Sequence, residues 1–167
     1  MKLTRLSLAS VAVAIATFSG SVKAAENSSP LVGTWRLTSN SVLTLETNEV
    51  SYPFGENPIG YLHYSPGGHM VVFFQKGNPQ KPSSAIYTDA HRAQIHKELV
   101  AYAGTYSVEG NKVTHHVVAA WLPHWIGDEQ VRYSEINGNR LTIKTAPSIF
   151  TLTGKQVVST LTFEKVE

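Results

Sequence analysis

From Leu31 onward the chain is a succession of short runs rich in Val, Ile, Leu, Thr and aromatic residues, each closed by Gly, Pro or Asn. That rhythm constrains the fold more than any other feature, because it gives strands of ordinary length and leaves no room between most of them for a crossover helix. The runs cover Leu31 to Thr38, Val42 to Val50, Ile59 to Ser65, His69 to Gln75, Thr105 to Glu109, Val113 to Trp121, Gln130 to Ile136, Arg140 to Thr145 and Val157 to Lys165. Ser65-Pro66-Gly67-Gly68, Glu109-Gly110-Asn111-Lys112 and Asn137-Gly138-Asn139 each join two runs with the Gly or Asn that a positive φ favours, so each predicts a hairpin. Hairpins in series make a meander, and about nine antiparallel strands make an all-β barrel or a sandwich.

One segment departs from this rhythm. Between Asp89 and Ala103, Ile95, Leu99, Tyr102 and Ala103 recur at helical spacing. Thr88 or Asp89 is placed to cap the start and Gly104 to close the end. The spacing predicts one amphipathic helix over 89–103, lying on the barrel or plugging one mouth. The Pro-, Gly- and Asn-rich stretches Tyr52 to Pro58 and Lys76 to Ser84 are expected to be rim loops.

The N-terminus has the layout of a secretory leader: basic Lys2 and Arg5, an uncharged, largely apolar run from Leu6 to Phe18, then small residues. The run is shorter than the roughly 20 residues that span a bilayer, and no second one follows. Cleavage is expected after Ala24 or Ala25, leaving 25–167 as one domain in a periplasmic or secreted protein without an integral membrane segment. Lys2, Arg5 and Lys23 lie in that leader with no acidic residue, so the remaining chain holds 11 basic side chains against 12 acidic ones. No basic stripe remains for phosphate backbones, and nucleic-acid binding is not expected. With no cysteine in the sequence, disulfides, thiolate metal sites and thiol nucleophiles are excluded, and packing alone must hold the fold.

Gly33-Thr34-Trp35 opens the first strand. It is followed by Tyr52-Pro53-Phe54-Gly55, by Pro58-Ile59-Gly60-Tyr61-Leu62-His63-Tyr64-Ser65 with Gly67, Gly68 and Met70, by Tyr102-Ala103-Gly104-Thr105-Tyr106 and Val113-Thr114-His115-His116-Val117, and by Pro123-His124-Trp125-Ile126-Gly127 with Arg132. In that order and spacing the chain resembles the lipocalin-like domain family of small bacterial and fungal proteins, from Leu31 to about Lys165. The resemblance implies a closed or nearly closed meander barrel, lipocalin or calycin in type, of about eight to ten strands. It gives Gly33 and Trp35 the part of closing the barrel floor, Trp35 packing across it and Gly33 letting the chain approach.

Strand alternation then says what such a lumen would hold. An inward Trp35 brings Leu31, Gly33 and Leu37 inward with it, while Leu141 and Ile143 share one face, as do Leu161 and Phe163. Tyr61, Tyr64, Tyr106 and Tyr133 would add ring area and hydroxyls, or serve as plain core aromatics. Tyr61, His63, Tyr64, Phe73, Tyr106, His116, Trp125 and Arg132 are the candidate ligand contacts, with Trp125 gating or capping the mouth. Only one of the adjacent residues His115 and His116 can enter the lumen. Arg132 is of opposite parity to Tyr133 and Glu135. Inward, it could pair a ligand carboxylate; the favoured expectation is a salt bridge to Asp128, Glu129 or Glu135.

The seven histidines do not form a metal motif. His91 and His96 are five apart on the helix and diverge, although His63, His69 and one of His115 or His116 could in principle meet from separate strands. No metal and no cofactor are expected. G-x-S-x-G is absent, and Gly67-Gly68 opens no helix, which disfavours a hydrolase and a phosphate loop. The leading expectation is an exported protein that binds a small, mainly apolar molecule in its lumen. A cofactor-free isomerase or cyclase using His115, His116, Tyr133 and Arg132 is the alternative, and an interaction module presenting an Ile95 and Leu99 stripe to a protein partner is a third.

Overall fold

The computed structural model describes residues 29–79, 81–82 and 86–167. The expected leader lies outside the described residues, as do Gln80, Ser83 and Ser84 of the second expected rim loop. In chain order the elements are β1 (Gly33–Thr44), β2 (Val50–Ser51), β3 (Ile59–Tyr64), β4 (His69–Gln75), α1 (Asp89–Lys97), β5 (Leu99–Glu109), β6 (Lys112–Ala120), β7 (Glu129–Asn137), β8 (Arg140–Thr145), β9 (Ser148–Ile149) and β10 (Gln156–Lys165). All strand pairings are antiparallel between neighbours, and β1 pairs with β10 as well as β3. First strand meets last, so the sheet is a closed barrel of eight strands, with the two-residue β2 and β9 attached at one end.

Local sequence explains the hairpins. Glu109 pairs with Lys112 and Asn137 with Arg140, leaving two-residue loops whose first residues, Gly110 and Gly138, have φ of 62° and 60°. A glycine there gives the II′ type of turn, whose twist matches that of the strands. Gly60 plays a different part. Its φ is 154°, and a Cβ there would fall on the Phe73 carbonyl oxygen and the Phe74 Cα of β4. Gly60→Ala is therefore expected to cost at least about 2 kcal/mol, read as a lower urea midpoint at unchanged m-value; a loss below about 0.5 kcal/mol would show that β4 moves aside freely.

β1 is one continuous strand where two runs were expected. The register against β10 slips between Leu37 and Ser39, a bulge at which the Thr38 hydroxyl donates to the Thr162 carbonyl (3.0 Å). The extra residue reverses the alternation: Trp35 and Leu37 are buried before it, Asn40 and Val42 after it. The break in the sequence pattern thus marks a bulge inside the strand, and the bulge brings a polar residue into the lumen.

The helix is shorter than its spacing predicts. Thr88 caps it, its side chain accepting from the His91 amide, and it ends at Lys97. From Leu99 the chain is β5, in which Val100, Tyr102, Gly104 and Tyr106 face inward in strict alternation. Strand pairing from Leu99 to Thr105 against β4 outweighed a helical stripe that has nothing to pack on, since no residue of α1 is buried. Gly104 accordingly lies in mid-strand rather than at a helix end.

One end of the barrel is packed solid. Trp35, Tyr64, Met70, Val113, Leu141 and Phe163 are buried there in one cluster. Trp35 lies across this floor fully buried, its Nε1 donating to the Leu31 carbonyl at 2.7 Å, with the Lys165 ammonium over the ring. Beside it the C-terminal backbone crosses so close that a Cβ on Gly33, whose φ is 132°, would strike the Glu167 carbonyl oxygen. Among the described residues no helix is long and apolar enough to cross a membrane.

Candidate functional site

The opposite end is hollow. Above the packed floor lies a cavity of about 130 Å³. One water needs roughly 10–15 Å³ of such space, and a void near 150 Å³ accepts benzene, so this cavity matches a ring-sized molecule. Val42, Phe54, Leu62, Phe74, Ile143 and Leu161 are among the residues of its apolar wall. Phe54 comes from the first rim loop, turned inward to meet Phe74 edge-on at 5.1 Å. Trp125 sits in a 3-10 turn after β6, edge-on to Tyr102 and to Trp121, and forms part of the rim.

Polar groups enter from two sides. On the wall formed by β5, β6 and β7 stand Tyr102, His115, Gln130 and Arg132. Asn40 faces them from β1, which is four strands from β6 in either direction around the barrel. Among the described residues its Oδ1 is buried without a hydrogen-bond partner, as is the Nε1 of Trp121. Such orphaned atoms cost about 1–3 kcal/mol each unless something completes them.

His115 is 1 % exposed and held between two tyrosines: Nε2 lies 2.7 Å from the Tyr64 hydroxyl and Nδ1 2.9 Å from that of Tyr102. Burial, reinforced by the nearby Arg132 charge and then by His116, pushes its pKa down to about 3, so the imidazole is neutral. A neutral ring has one donor and one acceptor, which leaves two ways to orient the chain of bonds. Tyr64 is fully buried and reaches no other partner among the described residues. If it accepted from Nε2, its own hydroxyl proton would be stranded in the core, at a cost of about 1–3 kcal/mol. Tyr64 therefore donates to Nε2, and Nδ1–H donates to Tyr102. Burial also pushes the Tyr64 hydroxyl well above its ordinary pKa, which keeps it protonated in that role.

Arg132 does not form the expected salt bridge. Among the described ion pairs none includes it, and Glu129 reaches instead toward His116 on the outer wall (3.3 Å). Its guanidinium donates to the Val131 carbonyl (2.9 Å) and to Gln130 Oε1 (3.3 Å), two of its five N–H groups. For Glu129 and Glu135 the reason is parity, since Arg132 faces in while they face out; Asp128 lies before β7, where strand alternation does not apply.

The barrel sorts the remaining candidates the same way. Tyr64 and Tyr106 face inward; Tyr64 is buried in the floor, and Tyr106 is spent on the Ser65 carbonyl (3.0 Å). Tyr61, Phe73 and Tyr133 stand on the outer wall at 51 %, 47 % and 45 % exposure, and His63 faces outward to the Thr34 hydroxyl. His116 bonds to Ser107 outside the barrel. These five therefore cannot touch a molecule in the lumen. Because His63 faces out and His115 in, they do not converge, and the described residues contain no group of three or more His, Asp or Glu placed to hold a metal. The sequence reading missed Asn40, Tyr102, Trp121 and the rim cation Lys97. The alternation Val100, Tyr102, Gly104, Tyr106 was the signal for Tyr102, hidden by the coincident helical spacing. Asn40 had none, since only the bulge turns it inward.

A search of curated proteins finds no match to this chain. The model of the lipocalin-like domain family matches residues 32–166, which takes in the whole barrel from the Trp35 floor to the last strand. With the sheet closed between its first and last strands, the chain belongs to the lipocalin-like domain family.

Proposed function

We propose that this protein is an exported, periplasmic or secreted, binder of a small, mainly apolar molecule held in the barrel lumen. The observation that carries the reading is a largely apolar cavity, about 130 Å³, whose wall leaves Asn40 Oδ1 and Trp121 Nε1 buried without partners among the described residues. A ligand with an apolar body and a few polar atoms meets both the apolar wall and those groups. Binding is favoured over proton transfer because two of the four candidate catalytic residues, His116 and Tyr133, are outside the barrel, and both nitrogens of His115 are engaged. The interaction-module reading keeps part of its surface, since Ile95 is exposed on α1 and Leu99, at the start of β5, lines the same shallow hollow; no observation says what would cover it.

Native mass spectrometry of the protein from its own host is expected to show a small adduct that leaves on denaturation. Trp121 and Trp125 line the cavity, so the emptied protein is expected to change its tryptophan fluorescence on titration with benzyl alcohol. Absence of an adduct together with no response to millimolar benzyl alcohol would rule the reading out.

A further inference from the structure

The cavity carries more chemical information than its size. Among the described residues its wall holds two cationic side chains, Arg132 and Lys97, and no Asp or Glu. An inward guanidinium in a barrel is costly unless an anion or a set of acceptors completes it. Among the described residues two neutral acceptors, the Val131 carbonyl and the Gln130 amide oxygen, meet it, and neither carries the charge that would pair it. The relay through His115 adds direction. With Tyr64 donating to Nε2 and Nδ1–H donating to Tyr102, the Tyr102 oxygen is the acceptor in its bond to the imidazole, and its own O–H is left to donate. Tyr102 lines the cavity, whereas Tyr64 does not. The wall of β5, β6 and β7 thus offers the guanidinium N–H groups, the Tyr102 O–H and the Trp121 N–H, all donors. Asn40 on the opposite wall offers an orphaned acceptor.

We infer that the ligand is a small carboxylic acid with an apolar body of about one ring, its carboxylate received by Arg132 and the Tyr102 hydroxyl. This rests on the binding reading above and names the class of molecule that reading leaves open. A carboxylate fits because it is planar, accepts from several donors at once and pairs with a guanidinium through two parallel bonds. The Tyr64–His115–Tyr102 relay serves as the positioning device that holds the Tyr102 proton toward the ligand. A donor group at the ligand's far end, such as a hydroxyl, would satisfy Asn40.

The test compares benzoate with the near-isosteric, neutral benzyl alcohol, by calorimetry or tryptophan fluorescence, in the wild-type protein and in Arg132→Gln. Benzoate is expected to bind roughly ten- to a hundredfold more tightly than benzyl alcohol, as a charge-assisted bond supplies. In Arg132→Gln the preference should fall to within about threefold, with circular dichroism of the folded barrel retained and benzyl alcohol still binding saturably, which separates a lost carboxylate partner from a lost fold. Equal binding of the two probes by the wild-type protein, or a preference that survives in Arg132→Gln, overturns the carboxylate assignment and leaves the cavity reading standing. Failure of both probes to bind overturns that reading itself. Nitrogen-15 NMR of the histidine side chains tests the relay without any ligand: His115 is expected as the Nδ1–H tautomer, and a proton on Nε2 would overturn the Tyr102 donor assignment.

Discussion

Lowering the pH from 7 to 4 is expected to strip this barrel of several kcal/mol of stability through one residue, His115. The folded protein holds its imidazole at a pKa of about 3, against about 6.5 in the unfolded chain. Between those values the unfolded state binds a proton that the folded state refuses, so stability falls as the pH falls. The contribution is fully present above pH 6.5 and is lost progressively toward pH 3, with a total on the order of 5 kcal/mol. The groups facing the ring, Tyr64, Tyr102 and Arg132, include no carboxylate to stabilise the imidazolium. Urea unfolding at steps between pH 7 and pH 4 is the measurement. The wild-type curve should steepen toward acid by up to one proton relative to His115→Phe, a variant less stable at neutral pH because two buried tyrosine hydroxyls lose their partner. Parallel curves for the two proteins would mean that His115 titrates normally and that the core admits its charge.

Trp35→Ala should cost about 4 kcal/mol. The ring is fully buried across the closed end and touches the packed cluster of the floor, its N–H is used by Leu31, and Lys165 lies over one face. Removing it opens a cavity in the packed floor, which places the cost within the roughly 3–5 kcal/mol range of buried large-to-small changes. For a domain of this size the melting temperature should drop by on the order of 10 °C. The matched control is Tyr61→Ala, on the outer wall opposite Phe73, where the loss of one cross-strand pair should stay within about 1 kcal/mol. Similar losses in both variants would contradict a floor built on Trp35.

The two predictions differ in how far the sequence anticipates them. Trp35 stands in Gly33-Thr34-Trp35 at a strand start, where the family resemblance implies an inward ring, and alternation then brings Leu37 inward with it. The choice of His115 over His116 is not anticipated in this way. Each is equally placed by the local pattern, and only the pairing of β6 with β5 and β7 turns His115 into the lumen and leaves His116 beside Ser107 and Glu129. Arg132 shows the same limit: its parity opposite Glu135 was legible, whereas the nearest acids were expected to hold it because closeness in sequence was taken for closeness of side chains. On a strand, adjacent residues face opposite ways.

What the sequence determined by itself was local: which segments favour strand, which turns reverse them, and which alternate residues are apolar. Those properties depend on residues within a few positions of one another, through φ preferences and the two-residue repeat of a strand. Closure of β1 on β10, the bulge that turns Asn40 inward, the shift of Leu99 to Ala103 from helix to strand, and the Tyr64–His115–Tyr102 relay were decided only by the tertiary structure. Each requires contacts between segments far apart in the chain, and the free energy of those contacts is absent until the barrel closes.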